Sequence, residues 1–170
     1  MSLSMYQASV PVFVRALKNL NGVLQKGEVF AAAKKIEPAV LINDRIAPDM
    51  FPLSRQIQIA TDVARRGVAR LAGVEPPKFE DNELTFEDLY DRINRTIVYL
   101  ESFQPRQIEG TEDKAISFEI RAKTVTFTGM EMLLNFSIPN VLFHTTVAYT
   151  ILRHNGIDIG KSDFLGNLPA

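Results

Sequence analysis

Ile138-Pro139-Asn140-Val141-Leu142-Phe143-His144, continuing to Ile151-Leu152-Arg153-His154-Asn155-Gly156, is the stretch on which the reading of this chain turns. Pro139 suits the first turn of a helix, where its missing N–H costs nothing, and Asn155-Gly156 suits the end of one. Between them Val141, His144, Ala148, Ile151 and Asn155 recur at intervals of three, four and seven. That periodicity predicts one helix whose apolar face carries a polar pair, Asn140 and His144, one turn apart. A histidine in the seam of a helical bundle stands where a cofactor or a metal would be held.

Working outward, three more segments carry helical periodicity. Val10, Phe13, Val14, Leu17, Leu20 and Leu24 predict a helix ending near Lys26-Gly27, with Pro11 in its first turn or at a kink. A short helical piece over 29–35 follows, and then a loop running through Asp44 to Met50. Pro52 opens the next helix, with Ile57, Ala60, Ala64, Val68 and Leu71 on its buried stripe and Gly73 at its end. Ala60, Ala64 and Gly67 are small, which invites close approach by a neighbouring helix, and Arg65, Arg66 and Arg70 fall mostly off the stripe. A linker over 74–82 contains Pro76-Pro77. Thr85-Phe86-Glu87-Asp88 resembles a capping box and starts a helix with Phe86, Leu89, Ile93, Ile97 and Leu100 on one face.

Between this helix and the last, the period changes. Ile116, Phe118 and Ile120 alternate, as do Val125 and Phe127, so a hairpin turning near Arg121-Ala122-Lys123 is expected. Thr128-Gly129-Met130-Glu131 then fits a capping box for a short helical turn through Asn135. The tail, 157–170, is expected to pack over the bundle without regular structure. The fold class that follows is all-α: a four-helix bundle in a single domain, 1–170, with a small extended hairpin in the crossover before the last helix.

Composition limits the chemistry. Of the 170 residues, 46% are hydrophobic and 23% charged, the balance of an ordinary globular chain. Net charge is −1, so no basic excess advertises nucleic acid or an anionic membrane. No apolar run approaches a membrane span, and Met1 to Tyr6 lack the pattern of a secretory signal. The chain has no cysteine, which excludes disulfides, zinc–thiolate sites and thiol nucleophiles, and which suits a reducing cytoplasm. No serine-hydrolase arrangement and no phosphate-cradling glycine loop is present. The carboxylates over 75–91 read as a charged surface at a helix start.

There are two histidines. His144 points inward; His154, ten residues on, lies roughly 80° further round the helix, near its C-terminus. The two therefore cannot ligate one metal from this helix alone. Asn140 faces the same side as His144. In the second long helix Gln56, Gln58 and Asp62 are the polar residues near the buried stripe, and Gln58 and Asp62 share a face. Gln58, Asp62, Asn140 and His144 are the pocket candidates.

These residues support a comparison. The last helix resembles the fourth helix of the DinB/YfiT-like bundles, in which a His-x-x-x-His pair lies on that helix and a third ligand comes from the second. Here the pair falls on Asn140 and His144, and Gln58 is the nearest polar residue to the third position. A subgroup known only as a bacterial domain of unknown function is resembled more closely. The stretch from Ala47-Pro48-Asp49-Met50-Phe51-Pro52 to Ile59-Ala60 carries that likeness, and so does Arg153-His154-Asn155-Gly156 with Gly160-Lys161-Ser162-Asp163-Phe164-Leu165-Gly166. The superfamily's three-imidazole site suits zinc or nickel with an open position. Two carboxamides in place of two imidazoles are weak donors for such ions.

The resemblance thus implies a bundle with a vestigial metal cavity, non-catalytic or binding a small ligand, with no cofactor, and pairing as a homodimer. The alternative it implies is a divalent-metal-dependent hydrolase or thiol-dependent transferase around His144, using Zn or Ni. Two further readings come from the residues alone: His144 as a metal-free general base, and the hairpin as a strand edge that pairs with another chain.

Overall fold

The computed structural model describes residues 3–167; Met1 and Ser2 of the N-terminal stretch and the last three residues of the tail lie outside them. Among the described residues four long helices form the bundle: α1 (Met5–Lys34), α3 (Leu53–Ala72), α4 (Phe86–Glu101) and α6 (Ile138–His154). Short helices α2 (Pro38–Ile42), α5 (Gly129–Glu131) and α7 (Lys161–Leu165) and strands β1 (Ile116–Ile120) and β2 (Lys123–Phe127) complete the described structure, with one 3-10 turn at Pro105–Gln107. α1 and α3 sit on one diagonal, and each packs against both α4 and α6. The apolar stripes of all four helices meet in one core, where Leu17, Leu24, Ile57, Leu89 and Ile151 are fully buried.

Local chemistry sets most helix ends. Ser4 and Gln7 form a reciprocal capping box at the start of α1. Thr85 and Asp88 do the same for α4, and Thr128 and Glu131 for α5. Each box satisfies backbone N–H groups that have no partner within the helix. Gly73 closes α3 in the left-handed conformation, at φ 72°.

Four expectations are corrected. α1 does not stop at Gly27: it runs unbroken to Lys34, and Lys35 supplies the left-handed cap at φ 56°. Gly27 is small because Leu152 of α6 lies against it, with a leucine methyl 3.0 Å from where a Cβ would stand. A close helix approach thus imitates a stop signal. The region before Met50 contains α2, opened by Pro38 in its first turn. α6 has Pro139 in its first turn, as expected, but it is not a fresh start after a separate short turn. The chain is already helical from Gly129 and passes through a wide π turn, Met132–Ser137, into α6. Proline cannot donate to the carbonyl four residues back, and a widened turn accommodates that loss. The tail is not irregular throughout. α7 docks on α1, where Arg15 donates to the Leu165 carbonyl at 3.0 Å and Asn19 to that of Phe164 at 3.0 Å.

The small-residue stripe on α3 does serve close approach. Ser137 Oγ lies 3.0 Å from the position of a Cβ on Gly67, so the π turn packs directly on the α3 backbone. The hairpin pairs Ile116 with Phe127 through Ile120 with Lys123, antiparallel. It turns on Arg121 and Ala122, both at positive φ. Phe118 and Phe127 stack across the strands at 5.8 Å and meet Phe136 of the π turn, which lays the hairpin along the second half of α3.

Candidate functional site

His144 is 9% exposed, held between α6 and α3. Its Nδ1 lies 2.7 Å from Oε1 of Gln56, a residue that is itself buried. The Gln56 amide nitrogen donates to the Phe51 carbonyl at 2.9 Å, so the amide oxygen faces the ring and accepts from it. That arrangement assigns the proton to Nδ1 and leaves Nε2 with a lone pair. Burial pushes the His144 pKa below its usual value, and the positive charge of Arg55 adds to the shift. The ring is neutral at pH 7. Phe143 meets it edge-on at 5.2 Å.

Gln56 therefore partners the histidine, and Gln58, two residues on, faces elsewhere. Gln58 accepts from Arg55 at 3.0 Å and donates to Glu83 at 2.7 Å. Asp62 is held by three guanidinium groups: Arg65 at 2.6 Å, Arg92 at 2.8 Å and Arg66 at 2.9 Å. Its charge is already matched by these three cations, and Asp62 lines a cavity whose wall does not include His144. Asn140 is half-buried on α6. Gln58, Asp62 and Asn140 line one cavity of about 300 Å³, together with Arg55 and Arg66, while His144 lies outside its wall. Three of the four candidates thus meet in a cavity whose other wall is apolar, with Ile59, Val63, Phe118, Ile120 and Phe136, and the fourth belongs to a separate hydrogen-bonded pair.

Sequence reading missed the charged centre beneath this cavity. Arg65 and Arg92 are 1% and 2% exposed. Arg65 does not stay off the buried face, because Phe79 of the 74–82 linker stacks on its guanidinium at 4.1 Å. Burial pulls the Arg65 pKa down, and Asp62 pulls it back up. Arg92 donates to Glu83 at 2.7 Å, Thr61 at 2.8 Å and the Glu80 carbonyl at 3.0 Å, and pairs with Asp81 at 3.1 Å. The acidic run over 75–91 is therefore not all solvated surface, since Glu83 turns inward to neutralise Arg92. The only signal was an arginine between Leu89 and Ile93 on an amphipathic helix, set close to a run of acids.

The residues present do not fit a three-imidazole metal centre. One imidazole and the carboxamides of Gln56 and Asn140 occupy the region, and the Gln56 oxygen is already spent on the ring. Among the described residues no three His, Cys, Asp or Glu side chains cluster closely enough to hold a metal ion. Neutral amide oxygens are poor donors for zinc or nickel, which prefer imidazole and thiolate.

Comparison with known proteins agrees with this architecture. Residues 5–165 match the family described as "Domain of unknown function (DUF1993)". A crystal structure of a DinB family member protein from Shewanella denitrificans superposes with a TM-score of 0.88 at 42% sequence identity, covering 97% of this chain and 93% of that one. No curated protein matches the chain. With its α1–α3–α4–α6 bundle, its crossover hairpin and near end-to-end sequence agreement, this chain belongs to the DUF1993 family of DinB-like domains of unknown function.

Proposed function

We propose that this protein is a non-catalytic bundle that binds a small polar ligand, in which the metal cavity of its wider superfamily is vestigial. The observation that carries this reading is the 2.7 Å hydrogen bond from His144 to Gln56. That bond orients the ring, and its neighbours support the same reading: Gln56 and Asn140 offer only neutral amide oxygens, and among the described residues no three His, Cys, Asp or Glu side chains cluster to hold a metal ion. The cavity of about 300 Å³ beside Gln58, Asp62 and Asn140 has the polar groups and the size to take the ligand. Metal content of gently purified protein tests the reading. We expect far less than one metal per chain; stoichiometric metal that disappears in His144→Ala would overturn it.

The second reading is a divalent-metal-dependent hydrolase or thiol-dependent transferase, with zinc or nickel on His144. It is favoured by one feature: Nε2 makes no hydrogen bond among the described residues. A divalent-cation panel in thermal unfolding, run above the pH of imidazole ionisation, separates the two. A shift with zinc or nickel that requires His144 supports the enzyme, and no shift supports the binding protein.

We also infer a homodimer. Val12 of α1 and Leu142 and Phe143 of α6 are exposed apolar side chains, and burial against a second copy would remove them from water. Sedimentation of wild type against Phe143→Glu checks it: a dimer that becomes monomeric is expected. Among the described residues no helix is long and apolar enough to cross a membrane. The absence of cysteine is compatible with a reducing compartment, and the cytoplasm is the location we assign.

A further inference from the structure

On the far side of Arg66 and Arg70 from the cavity lined by Asn140 lies a second and larger one, of about 530 Å³. It opens between the end of α3, the linker after it and the β1 strand. Arg65, Arg66, Arg70 and Lys78 line it, against two carboxylates, Glu75 and Glu80. Cations thus outnumber anions in a protein whose net charge is −1. The rest of the wall is mostly apolar, made by Val74, Pro76, Pro77, Phe79 and Phe118, with Ser117 at its β1 side.

Asp62 already neutralises part of this charge, since it pairs with Arg65 and Arg66, but two observations show that part of it is unspent. Arg65 is 1% exposed, yet its Nε and Nη1 have no hydrogen-bond partner; only its Nη2 is engaged, by Asp62. Buried guanidinium donors without acceptors are costly, and a native structure supplies an acceptor for them, such as an ion, a ligand or a water. Arg70 makes no ion pair among the described residues. It lies instead over the Phe118 ring at 3.7 Å, so its planar fork is held in place. Pre-positioned guanidinium forks match the geometry of phosphate and carboxylate, and bidentate pairing is what arginine provides there.

We propose that this groove binds a small molecule bearing an oxyanion, a phosphate or a carboxylate, on a flat apolar body. The oxyanion pairs with Arg70 and with the part of the Arg66 fork that Asp62 leaves open, and the body packs on the edges of Phe79 and Phe118 and on the two prolines. The proposal goes beyond the ligand-binding reading, because it assigns a ligand of stated charge to a second cavity. It fails separately from that reading, because metal at His144 would leave this groove untouched.

Calorimetric titration at fixed ionic strength tests it, with phenyl phosphate, benzoate and phenol as probes. We expect at least one of the two anions to bind at least tenfold more tightly than phenol. The stronger of the two identifies the head group. In the double variant Arg66→Gln/Arg70→Gln that affinity falls at least tenfold. Asp62 keeps Arg65 and Arg92 there, so the fold persists, and circular dichroism checks that it does. No binding by either anion, equal binding by phenol, or unchanged affinity in the double variant would each overturn the proposal. A crystal structure with phenyl phosphate present and no phosphate against Arg66 and Arg70 would overturn it as well.

Discussion

At His144 burial sets the charge state of a titratable group, and the hydrogen bond to Gln56 sets its tautomer. The folded-state pKa of His144 is held below the ordinary value of about 6.5. The folded chain therefore prefers the neutral ring more than the unfolded chain does. The contribution to stability is fully present above about pH 6.5 and is lost as pH falls through the folded-state value. Denaturant midpoints between pH 7 and pH 5 should fall in wild type and fall less in His144→Gln, and a titration of the His144 ring by NMR should place its pKa below the ordinary histidine value. Replacing Gln56 with leucine leaves a buried ring N–H without an acceptor, with an expected loss of about 1–3 kcal/mol in urea unfolding at pH 7.

Element by element, the helix ends and the hairpin carry their own predictions. Arg121 and Ala122 turn the hairpin at φ 49° and 62°, a conformation that L residues with a Cβ adopt only at a cost. Two-residue turns with both φ positive favour Asn-Gly. Ala122→Gly should therefore raise stability by up to about 1 kcal/mol, read as a higher urea midpoint. Gly129 behaves in the opposite way. A Cβ there would collide with the Thr111 carbonyl oxygen, which is backbone and cannot move aside cheaply. Gly129→Ala should cost at least about 1–3 kcal/mol and loosen the start of α5 against the crossover loop.

For the whole molecule, the deciding feature is the charged centre that ties α3, α4 and the linker together. Asp62 faces Arg65, Arg66 and Arg92, and Glu83 faces Arg92. A buried ion pair adds little over an apolar replacement, but removing one partner strands the other. Asp62→Ala leaves two nearly fully buried guanidinium groups short of a counter-charge. About 3–5 kcal/mol of destabilisation is expected, measured by urea unfolding. A surface pair such as Lys18–Glu101 should, by contrast, be worth well under about 1 kcal/mol.

What the sequence by itself determined was local. Apolar periodicity placed the stripes of α1, α3, α4 and α6, and side chains three residues apart built the capping boxes at Thr85 and Thr128. Alternation placed the hairpin, because strand geometry repeats every second residue. The motifs around Pro52 and Gly156 pointed to the family. Tertiary structure alone decided the rest. Gly27 proved to be a contact with Leu152 rather than a stop, Gln56 rather than Gln58 met His144, and Arg65 and Arg92 went inside. Each of these depends on which distant segment arrives opposite the residue. Spacing along one helix fixes the face to within about a third of a turn. It is silent on the carboxylate, ring or methyl group that another helix brings to that face. That partner settles whether a polar side chain is buried, paired or left open to a ligand.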